Sequence, residues 1–255
     1  MKNNMRLDIY LASNNYFESR NKAKNEIESG NVFVNGIKIT KTSYDVNDND
    51  KITISENICP FVSRGGYKLL EAIKTFNLDL CDKVILDIGA STGGFTDCAL
   101  QHGAKLVYSL DVGTSQLHNK LRSDERVIVL ENTNLLDYNP DINFDLLVMD
   151  VSFVSIEYLT PKLSELINDN NYLVCLIKPQ FEVGKIHLKN GIVKDKNLYL
   201  KILENIELEL NKYNLGIEKI GLSPILGGDG NKEFISLIKR NVKNKINYLA
   251  FVRSI

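Results

Sequence analysis

The 255-residue sequence lacks a surplus of charge of either sign and lacks any long apolar run. Its formal net charge of -1 excludes a polybasic protein whose whole surface attracts nucleic acid, so any such contact must come from a local patch. No apolar run approaches the roughly 20 residues that a helix needs to span a bilayer, and MKNNMRLD contains no apolar signal core. The sequence therefore predicts a cytoplasmic protein without membrane contact.

Cysteine and histidine are scarce and scattered. The four cysteines, Cys59, Cys81, Cys98 and Cys175, form no CxxC pair, and no His/Cys cluster has metal-binding spacing. This pattern is typical of reduced thiols in a cytoplasm. It also predicts a protein without a resident metal ion.

The first 56 residues or so have a pattern of their own. RLDIYL indicates a short helix, and Ser19 is placed to cap a second one. Alternating apolar residues flank Asn35-Gly36, the strongest short signal for a β-hairpin, and DKITI supplies a third strand. A segment this small would be marginally stable alone, so we interpret it as an α+β module attached to a larger domain.

After the polar stretch SENICP, short apolar runs alternate with helical patterns. VILDIG, KLVYSLD, RVIVL, FDLLVMD and YLVCLIK are typical of buried parallel strands joined by crossover helices. Helical segments are expected around residues 67–76, 94–102, 114–122, 155–168 and 195–212, before two final strands in GIEKIGLSPI and EFISLIKR. The sequence thus predicts a small module over residues 1–58, a linker over 59–65 and an α/β domain with a doubly wound sheet over 66–255.

The stretch KVILDIGASTGGFTD has the layout of a cofactor loop at the end of a first parallel strand. A dinucleotide fingerprint has glycines at the first, third and sixth places of the turn, but the third place here is Ser91. Asp87 stands directly before the loop. Asp111 ends the next strand, where a carboxylate can accept both ribose hydroxyls of a nucleoside. Asp111 suits a nicotinamide cofactor or a methyl donor, whereas Ser91 favours the methyl donor.

Four charged residues, Lys68, Asp150, Lys178 and Glu233, are expected at this same sheet edge. Each alone is more simply a surface charge, but four at one edge are hard to ascribe to chance. A ribose 2′-hydroxyl is a poor nucleophile while protonated, so its methylation benefits from a nearby cation and from carboxylates that tune it. We expect Lys178 to orient and activate the hydroxyl, Asp150 and Glu233 to position Lys178, and Lys68 to stabilise developing negative charge.

Several motifs together resemble those of one family. They are RLDIYL, SRNKAKNEIESGNVFVNG, FVSRGGYKL, DIGASTGGFTD, SLDVGTSQL, VMDVSF, IKPQFE and GNKEF. They are similar to the TlyA family of ribosomal RNA 2′-O-methyltransferases, which join an RNA-binding module of the ribosomal protein S-four type to an FtsJ-like domain. The resemblance implies a class I Rossmann-like methyltransferase with a seven-stranded mixed sheet.

The resemblance also implies ligands and site residues. It implies S-adenosylmethionine as cofactor, ribosomal RNA or a ribosomal subunit as partner, and a cytidine ribose as acceptor; it indicates no protein partner. Large-subunit RNA is the expected substrate because the lead before Arg6 is short, with small-subunit RNA second.

The family's Lys-Asp-Lys-Glu tetrad falls on the four charged residues above. Implied cofactor contacts are Asp87, Gly89, Ala90, Ser91, Thr92, Gly93, Gly94, Phe95, Asp111, Val112, Asn134 and Asp150. Implied RNA contacts are Arg6, Ser19, Arg20, Lys22, Lys24, Asn35 and Arg64.

Three alternatives stay open. Members of this family have also been described as haemolysins, but a membrane-active protein is disfavoured by the absence of a spanning segment or a strongly basic amphipathic helix. A non-catalytic RNA-binding protein is disfavoured by the intact Asp87, Asp111 and tetrad. An NAD-dependent oxidoreductase is disfavoured by Ser91 and by the RNA-binding module.

Overall fold

The computed structural model describes residues 4–55, 59–184, 186, 188–227, 230–243 and 246–255. The chain divides into two compact units, Met1–Ser63 and Arg64–Ile255. The division falls within the segment that the sequence indicates as a linker.

The amino-terminal unit joins two helices and a small antiparallel sheet around one core. Its elements are β1 (Met5–Arg6), α1 (Leu7–Ser13), α2 (Arg20–Glu28), β2 (Val32–Val34), β3 (Ile37–Ile39), β4 (Asp45–Val46) and β5 (Ile52–Ile54). β2 lies between β3 and β5, and β1 pairs with β4. Leu7, Leu11 and Ile27 of the helices share a buried cluster with Val32 and Val34 of the central strand. The expected α+β module is confirmed.

Two local signals of this unit are confirmed as well. The Ser19 side chain accepts a hydrogen bond from the Lys22 amide and caps α2. Asn35 and Gly36, between β2 and β3, have φ values of 52° and 80°, the left-handed backbone that a tight hairpin requires. The pairing of β1 with β4 has no signal in the sequence because each strand contributes only two residues.

The described residues of the carboxy-terminal unit form one sheet of seven strands. They are β6 (Val84–Ile88), β7 (Leu106–Leu110), β8 (Val127–Leu130), β9 (Leu146–Met149), β10 (Leu173–Ile177), β11 (Leu215–Leu222) and β12 (Phe234–Arg240). Their order is β11-β12-β10-β9-β6-β7-β8, with β6 to β10 parallel and the last two strands antiparallel. The expected mixed sheet is therefore confirmed.

The α-helices among the described residues of this unit are α3 (Gly65–Phe76), α4 (Gly94–Gln101), α5 (Asn119–Arg122), α6 (Ile156–Leu166), α7 (Pro179–Glu182), α8 (Lys196–Asn211) and α9 (Tyr248–Ser254). The prediction of a helix over residues 114–122 is correct only for its last turn, α5. The preceding amides of Ser115, Gln116 and Leu117 donate to the Glu131 carboxylate instead of to helical carbonyls. The sequence did not indicate α7, which begins at a proline suited to a first helical position, or α9.

The topology brings the expected charged residues to one edge. β9 and β10 run parallel as neighbours, so Asp150 and Lys178, which follow them, come to the same edge. β12 runs antiparallel beside β10 and starts at that edge, directly after Glu233. Pro179 leaves Lys178 extended, with φ -111° and ψ 96°, as the sequence predicts.

Candidate active site

The four charged residues form a continuous chain of ion pairs. Lys68 Nζ lies 2.7 Å from Glu233 Oε2 and 3.2 Å from Asp150 Oδ2, and Lys178 Nζ lies 2.6 Å from Asp150 Oδ1. Asp150 thus bridges the two lysines, and Lys68 bridges the two carboxylates. Lys68 and Lys178 are each 8% exposed and Glu233 is 2% exposed, so most of this network is removed from water.

The ion pairs of the network offset the cost of burying its charged groups. Burial would raise the pKa of Asp150, but the charges and hydrogen bonds of Lys68 and Lys178 outweigh it and lower that pKa. Burial also opposes the charged form of Lys68, yet Asp150 and Glu233 raise the pKa of its ammonium. Since two cations face two carboxylates, none of the four is left as an unpaired buried charge. Asp150 therefore stays ionised and Lys68 stays protonated at neutral pH.

The loop before β12 is shaped around Glu233. A Cβ atom at Gly227 would lie 2.5 Å from Glu233 Oε1, so glycine leaves room for the carboxylate. The fully buried Asn231 side chain accepts from the Val193 amide at 3.0 Å and donates to the Gly191 carbonyl at 2.9 Å. These bonds tie the loop to the segment before α8. Asn231 lies in the GNKEF motif, but the sequence did not mark it as a supporting residue.

A cavity of about 530 Å³ opens at the same sheet edge and includes Asp150 in its wall. Its wall comes from the ends of β6 and β7, from the segments that follow β6, β7, β8 and β9, and from the start of α6. The lining residues are Ile88, Gly89, Ser91, Leu110, Asp111, Val112, Gln116, Asn134, Leu135, Asp150, Val151, Ser152, Phe153, Val154, Tyr158 and Leu159. A mostly apolar cleft with a few polar groups, at the carboxyl ends of parallel strands, is where open α/β sheets bind nucleoside ligands.

The structure divides the implied cofactor residues into two groups. Those that line the cavity are Gly89, Ser91, Asp111, Val112, Asn134 and Asp150. Those outside its lining, buried or half-buried, are Asp87, Ala90, Thr92, Gly93, Gly94 and Phe95. Gly93 has φ +97°, and a Cβ atom there would lie 2.2 Å from a methyl carbon of Leu121. Packing against α5 and the left-handed backbone therefore both favour glycine at this position.

Asp87, the next-to-last residue of β6, is a buried carboxylate with one oxygen that accepts no hydrogen bond from the described residues. It is 1% exposed, and its Oδ2 accepts from Thr96 Oγ1 at 2.6 Å. Its Oδ1 has no hydrogen-bond partner among the residues that the structure describes. Burial raises the pKa of Asp87 to about 7. A cationic ligand group beside Oδ1 would stabilise the ionised carboxylate, so the chemistry of this site fits a ligand that carries an ammonium group.

Asp111, directly after β7, is held at the cavity wall by backbone amides. Its Oδ2 accepts from the Ser91 amide at 2.8 Å, and its Oδ1 accepts from the Gly113 amide at 2.7 Å. Ser91 has φ +50°, so the loop reaches Asp111 through a left-handed residue. The carboxylate is thereby fixed where the hydroxyls of a bound ribose could donate to it.

Glu131, directly after β8, shapes the next part of the cavity. It accepts from the amides of Ser115, Gln116 and Leu117 at 2.8 to 3.1 Å and also pairs with Arg122. The hydrogen bond from Arg122 and these amides lower the pKa of Glu131 to about 2, although burial opposes them. Glu131 therefore holds the loop that brings Gln116 to the cavity. The sequence alone did not indicate this role, since the three amides carry no side-chain signal.

Sequence reasoning also missed the loop after β9. Ser152 Oγ accepts from Lys178 Nζ at 2.9 Å, and Phe153 lines the cavity with 90% of its surface exposed. Phe153 has φ +65°, a strained conformation for a large side chain, and its ring centre lies 4.9 Å from that of Phe181. Both Ser152 and Phe153 stand in the VMDVSF motif, but exposure and backbone strain cannot be read from the letters.

In the amino-terminal unit, one buried carboxylate joins two of the implied RNA contacts. Asp8 is fully buried and accepts from Arg6 Nε at 3.0 Å and from Arg20 Nε at 2.8 Å. Burial would raise the pKa of Asp8, but its bonds to the two arginines lower it to about 2. Arg6 and Arg20 keep 42% and 50% of their side-chain surfaces exposed. Asp8 thus holds both guanidinium groups on one carboxylate, and both arginine side chains remain accessible to solvent.

The other implied RNA contacts differ in their surroundings. Lys22 Nζ donates to the carbonyls of Cys59 and Phe61 and lies 3.4 Å from Glu26, so it has partners within its own unit. The Asn35 side chain donates a hydrogen bond to the Asp50 carboxylate and accepts one from the Lys51 amide. Ser19 caps α2, Lys24 is half-buried and Arg64 is exposed.

Comparison with known proteins agrees with this fold. The model of the FtsJ-like methyltransferase family matches residues 61–240, and that of the S4 domain matches residues 5–52. Hemolysin A of Brachyspira hyodysenteriae is 44% identical over 239 residues, which span 91% of this chain and 98% of that protein. The 16S/23S rRNA (cytidine-2'-O)-methyltransferase TlyA of Mycobacterium tuberculosis is 35% identical over 241 residues, 92% of this chain and 89% of that protein.

A solved structure of a Streptococcus thermophilus protein, described as a candidate hemolysin, matches with a TM-score of 0.77 and 36% identity. It covers 99% of this chain and 94% of its own. The mixed sheet and the cavity at its edge define a Rossmann-like methyltransferase fold. The chain belongs to the FtsJ-like methyltransferase family, within the group of two-domain proteins that contains TlyA.

Two of these relatives carry a hemolysin name. Within the described ranges, the chain contains no helix that combines the length and the apolar character needed to cross a bilayer.

Proposed function

We propose that this protein transfers the methyl group of S-adenosylmethionine to the 2′-hydroxyl of a cytidine ribose in ribosomal RNA. The observation that carries the proposal is the network of Lys68, Asp150, Lys178 and Glu233 beside the cavity. The acceptor follows from the relative in Mycobacterium tuberculosis, which is named for this reaction on 16S and 23S RNA. We take large-subunit RNA as the first substrate to test and small-subunit RNA as the second.

The cavity residues, together with Asp87, which is buried next to Ile88 of the lining, would hold the methyl donor. S-adenosylmethionine supplies a methyl group on a positively charged sulfur, which is transferred by direct displacement. The residues assigned to it are Asp87, Gly89, Ser91, Asp111, Val112 and Asn134. Oδ1 of Asp87 offers an acceptor for the ammonium group, and the Asp111 carboxylate offers acceptors for ribose hydroxyls. The apolar wall would exclude water from the remainder of the donor.

The ion-pair network would act on the acceptor hydroxyl. Lys178 has the central role, because its ammonium, held by Asp150 and Ser152, orients the hydroxyl and stabilises its oxygen. The oxygen takes the methyl group as the bond between methyl and sulfur breaks, and the hydroxyl proton passes to water. Asp150 and Glu233 hold the two lysines in place. Lys68 keeps Asp150 ionised and adds positive charge that stabilises negative charge developing on the oxygen.

Two further features suit an RNA substrate. Phe153 presents an exposed ring at the cavity, on which a nucleobase taken out of its stack could rest. Arg6 and Arg20, paired on Asp8, present guanidinium groups that can bind phosphates of structured RNA. These contacts would position the RNA, whereas the tetrad would act on one ribose.

The proposal is tested with pure protein, donor labelled in its methyl group, and separated bacterial ribosomal subunits that lack the modification. We expect label in subunit RNA and 2′-O-methylcytidine after digestion to nucleosides, measured by mass spectrometry. The Lys178→Ala variant should bind the donor and label the RNA at least about 100-fold more slowly than the parent protein. Label in neither subunit, or on a base instead of a ribose, would contradict the proposal.

A further inference from the structure

The loop after β9, residues 150–155, and the turn after β10, Lys178–Glu182, contact each other along their length. At the strand ends, Asp150 pairs with Lys178 at 2.6 Å. Farther along, the Phe153 and Phe181 rings are 4.9 Å apart. At the far end, the amide of Ile156, the first residue of α6, donates to Glu182 at 3.1 Å. The proposed function uses the first of these contacts and leaves the last without a role.

Glu182 makes an unusual contact for a helix start. Its Oε1 and Oε2 lie 3.1 and 3.4 Å from the Ile156 amide nitrogen, which has no acceptor within its own helix. A carboxylate there also interacts favourably with the positive end of the helix dipole. Burial, however, raises the pKa of Glu182 to about 7, so its charge is kept at a cost. The exposed Glu157 in the same first turn could serve the dipole without that cost.

We propose that Glu182 is a positioning residue that fixes the far end of the loop after β9, so that Ser152 stays against Lys178 and Phe153 stays against Phe181. This inference rests on the proposed function of the tetrad. The loop is then fixed at both ends by residues of one short helical turn, since Lys178 directly precedes α7 and Glu182 ends it. Fixation at two points explains how Phe153 is held at φ +65° while 90% exposed.

The matched variants are Glu182→Met and Glu182→Gln. Both keep the approximate length and volume of the side chain, but only glutamine retains an oxygen that accepts from the Ile156 amide. Glu157→Met is the control, because it removes a carboxylate from the same helix turn. Methionine also relieves the burial of a carboxylate, so we expect its thermal midpoint to equal or exceed that of the parent protein.

Two measurements on the full chain decide the proposal. Hydrogen exchange of the amides in residues 150–158 should become about tenfold faster or more in Glu182→Met and stay near the parent rate in Glu182→Gln and Glu157→Met. In the methylation assay, Glu182→Met should lower kcat by about 10-fold to 100-fold, as expected for a small displacement of reacting groups, with a smaller change in donor Kd. Glutamine should restore most of kcat.

The outcomes separate this inference from the proposed function. Unchanged exchange in Glu182→Met, or a glutamine variant as impaired as the methionine variant, would overturn the positioning role. A reduced thermal midpoint in Glu182→Met with kcat unchanged would also overturn it, since that result describes a merely structural residue. If the parent protein labels neither subunit, the proposed function fails, and the exchange measurement still decides the role of Glu182.

Discussion

Asp150 Oδ1 lies 2.6 Å from Lys178 Nζ, and its other oxygen lies 3.2 Å from Lys68 Nζ, so one strand-end carboxylate holds both lysines of the network. The two strands that supply Asp150 and Lys178 are parallel neighbours, which places both side chains at one edge of the sheet. The pKa of Asp150 is lowered because the lysines outweigh its burial. Removing either lysine therefore removes part of the charge that keeps Asp150 ionised, and Asp150 is the carboxylate that orients the remaining lysine.

Lys178→Ala is expected to lower kcat for RNA methylation by about 100-fold to 10,000-fold, the range typical for loss of a group that assists proton transfer. The donor Kd should stay within about threefold, because Lys178 is not part of the cavity lining. Filter-bound label and calorimetric titration measure the two quantities. Lys105→Ala, an exposed lysine just before β7, serves as the control. Near-parental kcat in Lys178→Ala would remove this residue from the mechanism.

Asp87 should make donor binding depend on pH. Because its pKa is about 7 without ligand and the ionised form is the one that attracts an ammonium group, donor affinity should rise with pH and level off above 7. Below pH 7 the Kd should increase by up to about tenfold per pH unit. Calorimetry at pH 6, 7 and 8 in buffers of different ionisation enthalpy would also show proton release. In Asp87→Asn the Kd should be higher and independent of pH; a parental pH dependence in that variant would contradict the assignment.

Asp87 should also make the stability of the ligand-free protein depend on pH. Here the protonated carboxyl is the favoured form, whereas donor binding favours the ionised form. Its pKa is raised above the unfolded value of about 4, so its stabilising contribution is complete below pH 4 and is lost as pH rises through about 7. Glu182, whose pKa is also raised to about 7, acts in the same direction. Urea unfolding from pH 4 to pH 8 should therefore show a smaller loss of stability in Asp87→Asn than in the parent. Equal losses in the two proteins would show that Asp87 is not the titrating group.

Glu131→Ala should weaken donor binding through the loop that it holds. Loss of the carboxylate frees the amides of Ser115, Gln116 and Leu117, and Gln116 lines the cavity. We expect the donor Kd to rise by about tenfold, in line with the loss of several hydrogen bonds to a charged group. Because the pKa of Glu131 is about 2, the effect should be the same at pH 6 and pH 8. Glu125→Ala, an exposed residue before β8, is the matched control and should bind the donor as the parent does.

Arg6→Ala and Arg20→Ala should each weaken RNA binding and reduce its dependence on salt. Each guanidinium that binds a phosphate contributes about one unit to the slope of log K against log salt concentration. Titrations of fluorescent ribosomal RNA fragments from about 50 to about 300 mM salt, over which the Debye length falls from roughly 14 Å to roughly 6 Å, measure the slope. Lys41→Ala, an exposed residue of the same unit, is the control. A slope that stays parental in both arginine variants would exclude Arg6 and Arg20 as phosphate contacts.

Much of the fold could be predicted from the sequence because its signals are local. The apolar runs of β6 to β10 predict the parallel strands. Asn35-Gly36 predicts the hairpin, because few other residues adopt the left-handed backbone that its turn requires. Strand ends were enough to group Asp150, Lys178 and Glu233, because two parallel strands end and one antiparallel strand begins at the same edge. Lys68, in contrast, lies in α3. Where a distant partner overrides local preference, prediction failed: Glu131 binds three amides that the pattern after β7 would have placed in a helix.

By itself, the sequence determined the class of the protein: a small α+β module, an α/β methyltransferase domain, and four charged residues at one sheet edge. Only the tertiary structure decided which oxygen faces which ammonium, that Asp87 keeps an unpartnered buried oxygen, and that Glu182 binds the start of α6. The physical reason is that strand and turn preferences act between near neighbours in the chain. Burial, ion pairing and the pKa values that follow from them depend on side chains brought together from distant segments.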